Sequence, residues 1–94
     1  MKKKITLCIE FRGGKGHAFI NISPADNYPI MKQDFSACHD YHLDPDKTYF
    51  VSLDGVSPSG GSTVATLKVD GIEGTQKIEV KKAGPFSKYF KVTV

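Results

Sequence analysis

The stretch Leu43-Asp44-Pro45-Asp46-Lys47-Thr48-Tyr49-Phe50-Val51-Ser52-Leu53-Asp54-Gly55 decides the fold class of this 94-residue chain. Asp44-Pro45-Asp46-Lys47 is a turn cluster, because proline presets one backbone angle and aspartate bonds to nearby backbone donors. Beyond it Tyr49, Val51 and Leu53 fall on one face of an extended strand, and Phe50, Ser52 and Asp54 fall on the other. The alternation predicts Tyr49, Val51 and Leu53 buried and Ser52 and Asp54 exposed, with the strand stopped at Asp54-Gly55.

Outward from this stretch the same period of two recurs. Ile5, Leu7, Ile9 and Phe11 share one face, opposite Lys4, Thr6, Cys8 and Glu10. Ala18, Ile20 and Ile22 alternate with His17, Phe19 and Asn21, and Arg12-Gly13-Gly14-Lys15-Gly16 between them reads as the turn of a first hairpin. Ser23–Pro29 is a loop whose two prolines cannot donate to a ladder. Residues 30–43 are less regular, with Met31, Phe35, Tyr41 and Leu43 as inward side chains of two short strands. Ala65, Leu67 and Val69, then Ile78 and Val80, then Phe90, Val92 and Val94 mark three more strands, separated by Gly, Pro, Asp and Ser clusters. No window of about eleven residues holds the ~3.6-residue period of a helix. The reading is all-β: one domain over residues 1–94, an antiparallel β-sandwich of about seven to eight short strands, immunoglobulin-like or prealbumin-like.

The Leu43–Gly55 stretch resembles the L-x-P-x-x-x-Y-x-V segment of fibronectin type III domains. It is also similar, slightly shortened, to prealbumin-like modules such as carboxypeptidase regulatory domains and collagen-adhesin B repeats. The resemblance covers about half the chain. It implies that Tyr49 is buried and returns its hydroxyl to the upstream backbone. More than forty residues follow Tyr49, whereas a fibronectin domain places this corner late, so the prealbumin-like pattern fits better. The only asparagines, Asn21 and Asn27, are both early, and the Lys–Asn crosslink of adhesin repeats is therefore not carried over. What the resemblance implies is a structural or binding module.

Composition narrows the function classes. No stretch approaches the ~20 apolar residues of a membrane helix, so no spanning segment is expected. Met1-Lys2-Lys3-Lys4 opens like a signal peptide, but the following run alternates and meets charge at Glu10 instead of staying apolar. The chain reads as cytoplasmic if it is complete, and as extracytoplasmic if a signal segment has been removed. In a reducing compartment Cys8 and Cys38 are expected to be free thiols.

Charge is segregated: residues 1–15 carry a balance of +4, residues 16–74 carry −5 and residues 75–94 carry +4. Lysines of the first and last strands make one basic flank if those strands lie together. With a single Arg, the simpler reading is lysines that keep exposed strands soluble and unpaired.

Cys38-His39-Asp40-Tyr41-His42-Leu43-Asp44 is the densest run of coordinating side chains, and Cys38, His39 and His42 are the candidate metal ligands. On a strand Cys38, Asp40 and His42 share one face and His39 takes the other, too few ligands at one place unless His17 joins them. A nucleophilic set of Cys38, His17 and Asp40 can be written down, but no nucleophile has a recognisable elbow or helix-terminus context. Gly13-Gly14-Lys15-Gly16 is followed by a strand rather than the helix a phosphate loop needs.

The expected function is non-catalytic: protein binding or structural assembly, without a cofactor. The alternatives are a nucleic-acid-binding domain that stacks bases on Phe19, Phe50 and Tyr89, and a metal-dependent or thiol enzyme around residues 38–44. Phe19 and Phe50 are the candidate binding residues, since both lie opposite their strands' core residues unless loops 23–30 or 56–62 cover them. The terminal strands Lys2–Phe11 and Lys88–Val94 are expected as sheet edges open to a partner's strand or to self-association.

Overall fold

The alternating apolar positions meet between two antiparallel sheets packed face to face. The computed structural model describes residues 2–24 and 28–94; residues 25–27, the centre of the loop read at 23–29 and with them Asn27, lie outside the described residues. Along the chain the strands are β1 (Lys3–Arg12), β2 (His17–Ser23), β3 (Met31–Gln33), β4 (Ala37–Leu43), β5 (Thr48–Ser57), β6 (Ser62–Val69), β7 (Gln76–Val80) and β8 (Gly84–Thr93). One sheet has the order β4-β1-β6-β7 and the other β3-β2-β5-β8. The chain is thus an all-β sandwich. Among the described residues no helix is long and apolar enough to cross a membrane.

Between the sheets lie Ile5, Leu7 and Ile9 of β1, Ala65, Leu67 and Val69 of β6, and Ala18, Ile20 and Ile22 of β2. Those of β1 and β6 come from one sheet; those of β2 come from the other, together with Tyr49, Val51 and Leu53 of β5 and Phe90 and Val92 of β8. Each set is one phase of a strand, so a shift of one residue would turn the whole set to water. On the opposite phase of β5 Asp54 is exposed as expected, whereas Ser52 is half-buried among its cross-strand neighbours Asn21 and Tyr89.

The turn read at residues 44–47 carries the chain from one sheet to the other. Asp46 takes the left-handed conformation at φ 62°, which aspartate tolerates better than most residues. Its N–H donates to the Val94 carbonyl at 2.6 Å, and the Val94 N–H donates to Lys47 at 3.1 Å, so the end of the chain closes on this corner. Tyr49 is buried, and its hydroxyl accepts the Asp44 N–H at 3.2 Å. The implied tyrosine corner is present.

Four expectations are corrected. First, Arg12–Gly16 does not close a hairpin, because β1 and β2 lie in different sheets. The link crosses the end of the sandwich, where a Cβ on Gly61 would fall 1.8 Å from the Arg12 carbonyl oxygen, a contact only glycine permits. Second, β1 is not an edge: it is paired on both sides, to β4 and β6, while β8 does lie at an edge. Third, Phe35 is not an inward strand residue but sits exposed in the link between β3 and β4. Fourth, Cys8 and Cys38 are not free thiols; they are joined by a disulfide.

The cause of that bond is register. β4 pairs with β1 so that Cys8 stands opposite Cys38 and Lys4 opposite His42. The His42 N–H and carbonyl both turn away from β1, to the Tyr28 hydroxyl at 2.9 and 3.0 Å. His42 therefore makes no ladder bond to Lys4, and by the two-residue period neither does Cys38 to Cys8. Side chains approach most closely in such pairs, and here the Cα atoms are 4.0 Å apart. The bond closes a loop with a sequence separation of 30. Replacing both cysteines with serine should cost about 2–4 kcal/mol, the usual worth of a loop of this size. Urea titration of the double variant beside the oxidised protein checks it, and equal midpoints would show that the ladder alone holds β4.

Candidate functional site

The densest coordinating run is dispersed by the fold. Cys38 is spent in the disulfide, which removes it both as a metal ligand and as a nucleophile. Asp40 accepts a hydrogen bond from the Thr6 hydroxyl at 2.7 Å on the outer face of the β4-β1-β6-β7 sheet. His42 is on that face too, as the strand phase predicts. His39 turns the other way, half-buried, with Nε2 2.8 Å from Gln33 Oε1. Gln33 is itself buried, and its amide nitrogen donates to the carbonyls of Ile9 and Phe35 at 3.1 and 2.7 Å. That arrangement seals the side of the sandwich between the edges β3 and β4. Asp44 sits below the usual carboxylate range, held there by the hydrogen bond and charge of Lys2 at 2.8 Å, with Lys47 adding to the effect. Burial raises the Tyr41 phenol above its ordinary value.

His17 belongs to β2 in the opposite sheet, so Cys38, His17 and Asp40 do not form a set. Among the described residues no three His, Cys, Asp or Glu side chains are grouped to hold a metal ion. The basic flank divides as well: β1 is central in one sheet, β8 is an edge of the other, and they share no ladder.

What the fold does bring together is aromatic. Phe19 and Phe50 occupy the outward phase of β2 and β5, and they are 41% and 42% exposed. Tyr89, 62% exposed, joins them on the outward phase of β8. Its ring meets that of Phe50 edge-on, with centroids 5.8 Å apart. His17 and Phe19 make a second edge-on pair at 5.8 Å. The cross-strand register explains the grouping: Ser23, Phe50 and Lys91 form one row, Asn21, Ser52 and Tyr89 the next, and Lys32, Phe19, Asp54 and Ser87 a third. Ser87 donates to the Asp54 carboxylate, fixing that acid within the sheet surface. The result is a shallow face of exposed rings set among amides, hydroxyls and two lysines. Such rings offer large rigid contact area at little conformational cost.

Tyr89 could be read as outward from the strand phase alone, since Phe90 and Val92 take the inward positions. Its place beside Phe50 could not, because that depends on β8 pairing with β5. Comparison with protein-family models, with curated proteins and with solved structures returned no match.

Proposed function

We propose that this domain is a non-catalytic β-sandwich module that binds a protein partner, or assembles with one, through the outer face of the β3-β2-β5-β8 sheet. The carrying observation is the exposure of Phe19, Phe50 and Tyr89 together on that face. Phe50 and Tyr89 are in contact and Phe19 lies on the same face beside His17, and exposed aromatic rings of this kind are enriched at interaction surfaces.

A face fits better than an edge. β8 is the longest edge strand, yet Lys88 occupies its inward phase and is exposed, and Gln76 donates across to the Lys91 carbonyl at 3.3 Å. Inward-pointing charges on an edge strand discourage strand addition. β3 is three residues long, and the Tyr28 hydroxyl occupies the His42 backbone groups on the free side of β4.

Of the two sandwich types, the prealbumin-like one is favoured: the immunoglobulin order pairs the first two strands in one sheet, whereas here β1 and β2 are in opposite sheets. The disulfide supports an oxidising, extracytoplasmic setting.

Replacing Phe19 and Phe50 together with serine tests the reading. Because both rings are partly in water, stability should fall by no more than about 1 kcal/mol per site. Capture of the cognate partner from the native source, or self-association seen in sedimentation, should be lost. A collapse of stability with binding unchanged would assign the rings to the core instead. A salt-steep affinity for a mixed-sequence oligonucleotide, lost in the same variant, would transfer the face to base stacking.

A further inference from the structure

The aromatic face continues round one end of the sandwich into a groove of about 550 Å³. Its lining includes Phe11, Lys15 and His17 on one side of the chain crossing, and Lys32, Asp34 and Phe35 from β3 and the link that follows. Two features connect it to the face: His17 is the residue whose ring meets Phe19, and Lys32 is the cross-strand partner of Phe19.

We infer that this groove takes an acidic residue flanked by an apolar side chain from the partner protein, with the carboxylate at Lys15 and Lys32 and the apolar group against Phe11 and Phe35. The inference rests on the proposed protein-binding role and names the chemistry of the partner's segment. Charge comes first. Two lysines and a histidine face a single carboxylate, Asp34, and none of Lys15, Lys32 and Asp34 is in an ion pair among the described residues. A second carboxylate, brought by a ligand, would complete the balance. The apolar half is equally plain: Phe35 is 67% exposed, while Phe11 packs against the core from the other side. Clefts of roughly 300–1,000 Å³ with a few convergent polar groups are the usual form of a ligand site.

The groove is also held in shape before any ligand arrives. A Cβ on Gly16 would lie 2.7 Å from the Val56 carbonyl oxygen and 2.8 Å from a ring carbon of Phe11, so the crossing is packed against β5 and β1. The Phe11 N–H donates to the Ser36 hydroxyl at 3.0 Å, tying β1 to the β3–β4 link. Walls fixed in this way reduce the ordering cost of binding.

The probe is 3-phenylpropionate, which joins a carboxylate to one ring, titrated into the oxidised protein and followed by amide NMR. Saturable shifts at Gly14–His17 and Asp34–Ser36 are expected in the millimolar range, suited to so small a ligand. The neutral analogue 3-phenylpropanol should bind at least about tenfold more weakly, and Lys15→Ala with Lys32→Ala should lower the phenylpropionate affinity by a similar factor. Phe35→Ala should weaken phenylpropionate and leave the weak response to acetate unchanged. Absence of saturable shifts at the groove, or equal affinity for acid and alcohol, overturns the inference. So does an undiminished affinity in the lysine double variant. Because the titration uses no partner and leaves Phe50 and Tyr89 untouched, its failure is separate from failure of the aromatic face as a binding surface.

Discussion

Gly55→Ala is expected to destabilise the sandwich by about 3 kcal/mol or more, beyond the usual cost of one extra methyl in a packed site. Gly55 lies in β5, inside its sheet, opposite Ala18 of β2 and Phe86 of β8. A Cβ there would fall 2.0 Å from the His17 carbonyl oxygen and 2.8 Å from the Ala18 Cα. Both obstacles are backbone, and β2 is held on both sides, by β3 and β5. No rotamer change relieves the overlap; strands must separate. Glycine is used here for close approach of two chains rather than for a turn. Urea titration of the variant, with Ser52→Ala in the same strand as the control, measures the effect. A loss below about 0.5 kcal/mol, the range of a surface change, would mean that β2 and β5 part easily. The same substitution should disturb His17, and through it both the aromatic face and the end groove.

Leu53→Ala is expected to cost about 2–5 kcal/mol, the transfer energy of the lost atoms together with the cavity left behind. Leu53 is 1% exposed and stands between Ile20 and Lys88 in register. Its own strand is held by ladders on both sides, to β2 and to β8, so the site has little freedom to collapse. A thermal or urea midpoint shift corresponding to less than about 0.5 kcal/mol would refute the inward phase of β5. Phe50→Ala, three residues earlier on the outward phase, should cost far less. The contrast between the two tests the division of one strand into a core face and a binding face.

The functional reading depends on that division. Burying one phase of β2, β5 and β8 leaves the other phase to solvent, and there the chain carries Phe19, Phe50 and Tyr89 beside Lys32 and Lys91. Phe19 and Phe50 are partly covered by the sheet surface, and Phe50 meets Tyr89 edge-on, so part of their contribution goes to the fold. Their remaining exposure is the feature on which the proposed binding role rests.

Most of the strands and their phases are legible in the amino-acid sequence, Phe35 being the exception, and the resemblance of Leu43–Gly55 implied the tyrosine corner. Period-two alternation is local, and Asp44 and Tyr49 are close enough along the chain for the turn between them to settle their contact. The outward positions of Phe19 and Phe50 followed from the same alternation. Tertiary structure decided which strands pair. Arg12–Gly16 has a composition suited to a hairpin or to a crossing; the choice of crossing involves its packing against Gly60 and Gly61, far away in sequence. That choice places β1 between β4 and β6, and only then do Cys8 and Cys38 come opposite each other. It also brings Tyr89 to Phe50 and draws two separate segments, residues 11–17 and 32–36, into the end groove. Side-chain phase is a property of neighbours along the backbone. Sheet partners and edges are set by contacts between distant segments, where the energy depends on how whole strands fit together.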